Sequence, residues 1–276
     1  MTAKLKDWRG VRALVTGASS GIGRAFCERI GSEGARVALV ARRADELTAL
    51  AEQIRAAGGE AFVLPCDVGE RDACFATARR AEESLGGIDV LVNNAGYGHH
   101  RRFLDWDVED IERMMRVNYL GSMWMTKALL PGMVERGRGW LVFVASVAGK
   151  IAPPEESAYA ASKFAMVGLA ESISVEVEDA GVHVMVACPA VIRTPFFDAE
   201  ALARMPPVSR KAMAEPAEMV AAMLDGLARG KREITFPRLP EMGYKMKAVA
   251  PEWFRRMLRR TTIDALPSIA PTRRDR

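Results

Sequence analysis

Short, continuous apolar runs alternate with stretches of helical periodicity along most of this chain. Runs at 11–16, 36–41, 61–64, 88–92, 140–145 and 182–187 lack the polar–apolar alternation of a strand with one wet face. They predict strands buried on both faces, as in a parallel sheet covered by helices. Between them, 20–34, 44–58, 71–85, 108–134 and 157–180 space their apolar residues as helices do, and 215–229 adds a helix before a last short strand at 233–236. This order predicts an α/β fold: a doubly wound parallel sheet in three layers, α/β/α, forming one domain over residues 1–237.

After Pro189 the pattern breaks. Residues 191–213 hold several prolines and apolar residues without alternation, and are read as a lid over a substrate. Residues 238–276 form a C-terminal extension whose end, 267–276, is expected to be disordered. The net charge of +4 conceals an asymmetry: the chain from Arg229 onward has 13 Lys and Arg against 5 Asp and Glu, and the preceding chain 26 against 30. A nucleic-acid binder carries its basic face on its main domain, so no nucleic-acid partner is expected. Cys27, Cys66, Cys74 and Cys188 are scattered without metal spacing and read as reduced thiols of a cytoplasmic protein. No apolar run approaches a membrane span, and the polar N-terminus does not read as a signal peptide.

The first strand leads into Gly17-Ala18-Ser19-Ser20-Gly21-Ile22-Gly23, with a helix following. Glycines at this spacing allow a tight turn and close approach of the backbone to a phosphate, which the helix N-terminus attracts with free N–H groups. Alone the pattern is also that of a plain turn. Its place between the first strand and first helix is where a dinucleotide site belongs. At the end of the second strand, an acidic residue would bind the ribose hydroxyls of NAD. Here stand Ala41, Arg42 and Arg43. A guanidinium pairs with a 2′-phosphate, so the cofactor expected is NADP(H); the competing reading is a solvated strand end.

Tyr159 and Lys163 share a helix face at i, i+4. A free phenol titrates near 10, and a neighbouring ammonium is expected to draw it down toward use as an acid or base. Ser146 ends the fifth strand, at the sheet edge where ligands bind, and can orient a substrate oxygen beside Tyr159. His99, His100 and His183 lack ligand spacing, so no metal is expected.

Together these residues resemble the short-chain dehydrogenase/reductase family, over roughly residues 8–236. Thr16, Gly17, Gly21 and Gly23 match its cofactor turn in a Rossmann-like fold, and Asn93-Asn94-Ala95-Gly96 matches the motif after its fourth strand. Asn118, Ser146, Tyr159 and Lys163 match its catalytic tetrad. The resemblance implies a proton on Tyr159, a pKa-lowering and ribose-holding Lys163, an orienting Ser146, and a water-holding Asn118. It places Asp67 and Val68 at the adenine, Asn94 near its ribose, and Pro189 and Thr194 beside the nicotinamide. The match departs at Ala190, where the family has glycine; a methyl there is expected to narrow the pocket or shift the loop.

The expected activity is hydride transfer between NADPH and a small-molecule carbonyl or secondary alcohol. Tyr97, His99, Phe196 and Phe197 are expected at the substrate pocket, with Phe103, Leu202, Met205, Val208 and Met213 adding to its apolar character and favouring a hydrophobic ketone. Two alternatives stand beside this: a non-catalytic NADP(H)-sensing protein, and a membrane-surface reductase of lipid or steroid ketones docked by its basic tail. Small residues at Ala160, Ala161, Ala165, Gly168 and Ala170, with the family's habit of pairing through long helices, point to a homodimer or homotetramer. In the tail, Trp253, Phe254, Met257 and Leu258 are expected on one helix side and Arg255, Arg256, Arg259 and Arg260 on the other. Such a helix either folds back over the substrate mouth or makes weak contact with an anionic membrane, giving a cytoplasmic or peripheral location.

Overall fold

The computed structural model describes residues 4–197, 210 and 213–263. Leu202, Met205 and Val208 of the expected lid, and the tail segment 267–276, lie outside them. Seven parallel strands form one sheet: β1 (Arg12–Thr16), β2 (Arg36–Ala41), β3 (Glu60–Pro65), β4 (Val90–Asn93), β5 (Gly139–Val144), β6 (Val182–Pro189) and β7 (Glu233–Phe236). Their order is β3-β2-β1-β4-β5-β6-β7, so the winding reverses between β1 and β4.

Successive strand residues point to opposite faces, and both faces are dry. Val15 and Leu39 join Phe26, Leu47 and Met219 in one core. These come from α1 (Gly21–Ser32), α2 (Ala44–Ala56) and α7 (Pro216–Arg229). Leu14, Leu91 and Phe143 join Cys74, Met125 and Met166 in the other, under α3 (Arg71–Leu85), α5 (Gly121–Glu135) and α6 (Ser157–Glu176). The fully buried β5 and β6 explain why those runs carry no polar alternation.

The expected helix 108–134 is not uniform. It consists of α4 (Val108–Met115), a π-helical segment (Arg116–Leu120) and α5. One wider turn barely disturbs the apolar spacing, so periodicity conceals it, yet Asn118 sits within it. Such segments recur where a side chain must be aimed away from the regular ladder.

Beyond β7 the extension forms α8 (Pro240–Val249) and α9 (Pro251–Thr262) and folds back on the body. Phe254 is buried, and a Cβ on Gly243 would lie 3.0 Å from Ile151 and 3.8 Å from Phe254. The Lys247 ammonium donates to the Lys150 carbonyl at 2.7 Å and lies 4.7 Å from the Phe164 ring centre. Phe254 thus takes the inward position expected of the apolar side of α9, with Met257 and Leu258 half-buried. Trp253 does not join them: it is 55% exposed. Adjacent residues on a helix stand ~100° apart, so only one of the two aromatics can face the narrow contact with the body.

Candidate active site

One cavity of about 970 Å³ opens along the C-terminal edge of the sheet, across the point where the winding reverses. The ends of β1, β2, β4, β5 and β6 feed it through Gly17, Arg42, Asn94, Ser146 and Pro189. In open α/β sheets this crevice is where ligands bind.

The glycine turn is built by contacts that side chains would destroy. Gly17 and Gly21 have φ of +68° and +57°. A Cβ on Gly23 would stand 2.4 Å from the Gly17 carbonyl oxygen. Asn94 holds the turn from behind: its Nδ2 donates to the Thr16 carbonyl at 2.9 Å and the Gly17 carbonyl at 3.3 Å. The Thr16 hydroxyl accepts from the Asn94 and Ala95 amides at 2.9 and 3.0 Å. The Asn94 amide, expected near a ribose, is therefore engaged with backbone, although the residue still lines the cavity. Ser20 precedes α1 without a side-chain cap, so the first N–H groups of that helix are not covered by it.

Arg43 donates to the Ser19 hydroxyl at 2.9 Å, joining the end of β2 to the turn. Arg42 lines the same cavity, exposed and without a hydrogen bond or ion pair among the described residues. Asp67 and Val68 line it too, with Ser19, Ile22, Ala95 and Gly96. Asp67 is fixed by Arg113 and by the Gly69 amide, the latter at 2.9 Å.

Tyr159 and Lys163 rise from the first turns of α6 into this cavity, and Ser146 faces them from the end of β5. The Ser146 hydroxyl accepts from the Ala148 amide at 3.0 Å and lines the cavity with the Tyr159 phenol. Burial drives the Tyr159 pKa up, and the Ser146 hydroxyl opposes it. The Lys163 ammonium lies 5.7 Å from the Tyr159 ring centre and donates to the Val144 carbonyl at 2.9 Å. Burial lowers the Lys163 pKa to about 8. In the protein alone, desolvation of the buried phenol dominates over the downward pull expected of Lys163.

Asn118 reaches the site indirectly. Its Nδ2 donates to the Tyr97 carbonyl and to the Ser162 hydroxyl, both at 2.9 Å, and its Oδ1 accepts from the Tyr97 amide at 3.0 Å. Ser162 in turn donates to the Tyr159 carbonyl at 2.7 Å. Asn118 thus ties the loop after β4 to the helix of Tyr159, and its side chain is engaged by protein groups. Sequence reading missed Ser162, whose one signal was its place three residues after Tyr159. It also missed Gly98, where a Cβ would stand 2.9 Å from the Tyr159 ring and 2.8 Å from Phe196.

Tyr97, His99, Phe196 and Phe197, the residues expected at a substrate pocket, line the cavity together with His100, Pro153, Pro154 and Glu156. Phe196 packs on Tyr159 with ring centres 5.3 Å apart, and His99 contacts Tyr97 at 5.6 Å. His100 pairs with Glu156 at 3.1 Å. Leu239, Pro240 and Thr262 of the extension complete the wall, which no local motif announced. Phe103 is instead 67% exposed. Thr194 covers Gly21, whose Cβ would approach it to 3.0 Å. Ala190 lines the cavity beside Pro189. Its backbone avoids the left-handed region, and its amide donates to the Phe236 carbonyl at 2.9 Å. The methyl group therefore imposes no backbone strain on that loop.

The model of the short chain dehydrogenase family matches residues 12–204. The chain belongs to this family. Oxidoreductase UcpA of Salmonella typhimurium is 40% identical over 196 residues, covering 71% of this chain and 73% of that protein. A fatty acyl-CoA reductase of Mycobacterium tuberculosis is 36% identical over 267 residues, 92% of this chain and 85% of its own, so the similarity extends into the C-terminal extension. Among solved structures, a short-chain dehydrogenase/reductase of Burkholderia phymatum in complex with NAD superposes with a TM-score of 0.82 at 26% identity. It covers 90% of this chain and 96% of its own. As a short-chain dehydrogenase, the protein is an oxidoreductase with a nicotinamide nucleotide as its cofactor.

Proposed function

We propose that this short-chain dehydrogenase is an NADP-dependent reductase of hydrophobic carbonyl compounds, reversible toward the secondary alcohols. The observation that carries the reading is a shared cavity: the Tyr159–Ser146 pair opens into the same space as the glycine turn and Arg42. The residues fit a dinucleotide, since Gly17, Gly21 and Gly23 form a turn too tight for side chains, and α1 starts without a side-chain cap. Arg42, with Arg43 and Ser19, suits a 2′-phosphate, while Ala41 brings no carboxylate to repel it.

Bound NADPH supplies the hydride. Ser146 orients the substrate oxygen, and Tyr159 donates its phenolic proton to that oxygen in reduction and recovers it in oxidation. Lys163 holds positive charge at the cavity and offers its remaining N–H groups to the cofactor ribose. Asn118 keeps Tyr97 and, through Ser162, Tyr159 in register. Asp67, Val68, Pro189 and Thr194 complete the cofactor contacts. The substrate meets an apolar wall of Tyr97, Phe196, Phe197 and Leu239, which suits a fatty acyl chain or a ring ketone. The similarity to a fatty acyl-CoA reductase over 92% of this chain supports the acyl reading. The protein works as a homodimer or homotetramer, pairing through the exposed face of α6.

The test follows nicotinamide absorbance with NADPH and with NADH against ketones and aldehydes of graded chain length. Turnover with NADPH that improves with chain length supports the reading. A folded protein that oxidises neither cofactor with any of them overturns it.

A further inference from the structure

The outward face of the extension is unusual for a water-exposed surface. Leu239, Met242 and Val249 are 76%, 64% and 85% exposed. Spaced i, i+3 and i+10, they follow one stripe of α8 and the residue before it. On α9, Trp253 shares an exposed stripe with Arg256 and Arg260 at i, i+3 and i+7. These two arginines have no ion pair among the described residues. Residues 238–263 carry seven Lys and Arg against two Glu. The inward face is already used: Phe254 anchors α9, and Pro240 and Thr262 line the cavity, while Leu239 stands exposed at its rim. The outward face therefore lies at the cavity mouth.

We infer that the outward face of α8 and α9 docks on an anionic lipid bilayer, with Trp253, Leu239, Met242 and Val249 entering the headgroup boundary and Arg256 and Arg260 meeting lipid phosphates. A tryptophan beside the unpaired Arg256 and Arg260 suits the boundary between apolar chains and anionic headgroups. A second copy of the chain fits less well, because a two-fold contact through this face brings two net-positive surfaces together. No helix of the described residues is long and apolar enough to cross a membrane, so the contact lies on the surface. Docking would set the cavity mouth at the bilayer, where an apolar carbonyl compound resides. Only that consequence rests on the proposed function.

The test is vesicle flotation of the full chain with phosphatidylcholine alone and with phosphatidylcholine plus phosphatidylglycerol, at low and high salt. Salt-sensitive binding confined to the anionic vesicles is expected. The Arg256→Gln/Arg260→Gln double variant should bind roughly 30-fold less, and Trp253→Ser roughly tenfold less. Both variants should keep the wild-type melting temperature, because neither side chain is buried. Flotation reads binding without turnover, so it can fail while the reductase reading stands, and the reverse. Absence of binding to anionic vesicles overturns the proposal, as does binding that both variants leave unchanged. A dimer in solution that Trp253→Ser converts to monomer, with no vesicle binding, assigns the face to self-association instead.

Discussion

Asn118 and Tyr97 clasp each other through two hydrogen bonds, the Asn118 Nδ2 donating to the Tyr97 carbonyl at 2.9 Å and the Tyr97 amide donating to Asn118 Oδ1 at 3.0 Å. Asn118 is wholly buried, so its partners cannot turn to water when it is removed. Asn118→Ala should destabilise the protein by roughly 2–4 kcal/mol, because it strands the Tyr97 backbone groups. Urea denaturation measures this directly, and a loss under about 0.5 kcal/mol would show that the clasp is dispensable.

Tyr159→Phe removes the phenolic oxygen and leaves the ring that packs on Phe196. Turnover should fall roughly 100- to 10,000-fold, while NADPH binding measured by fluorescence titration stays within about twofold of wild type. A variant that still reduces the best carbonyl compound at the wild-type rate would take the proton from elsewhere.

Burial lowers the Lys163 pKa from 10.5 to about 8. Between these values the unfolded chain holds a proton that the folded one has released, so this residue makes stability rise with pH across that window. Below pH 8 its burial costs stability in full, and the cost disappears as pH approaches 10.5. Wild-type stability measured relative to Lys163→Met should thus increase by roughly 1.4 kcal/mol per pH unit from pH 8 upward. A difference between the two proteins that stays flat over that range would contradict the assignment.

Arg42→Ala should weaken NADPH binding roughly 10- to 100-fold, the worth of one charge-assisted pair. NADH, lacking the 2′-phosphate, should be affected within about twofold. Paired titrations of the two cofactors decide it, since equal losses would make Arg42 a structural residue.

Gly168 lies on the exposed face of α6, and a Cβ there would meet nothing within 4 Å. Arginine at this position therefore fits the folded monomer but blocks close approach of a second α6. Light scattering should show an oligomer for the wild type and a monomer for Gly168→Arg, with the melting curve reporting the lost association. An oligomer that survives the substitution must be built on another face.

The amino-acid sequence by itself determined the doubly wound sheet, the glycine turn and the Tyr159–Lys163 pair. Each depends on neighbours in sequence: buried strands need unbroken apolar runs, Gly17 and Gly21 have φ values that side chains resist, and i, i+4 residues share a face. Tertiary structure alone decided which atoms those residues meet. Asn94 turned to the backbone of Thr16 and Gly17, and Asn118 to Tyr97, because an amide is satisfied by whichever donors and acceptors packing brings near. It also decided that Phe254 went inward while Trp253 stayed out, and that Leu239 and Thr262 closed a cavity begun some two hundred residues earlier. Periodicity marks the apolar side of a helix to within a residue or two, whereas the surface it packs against is supplied by distant chain.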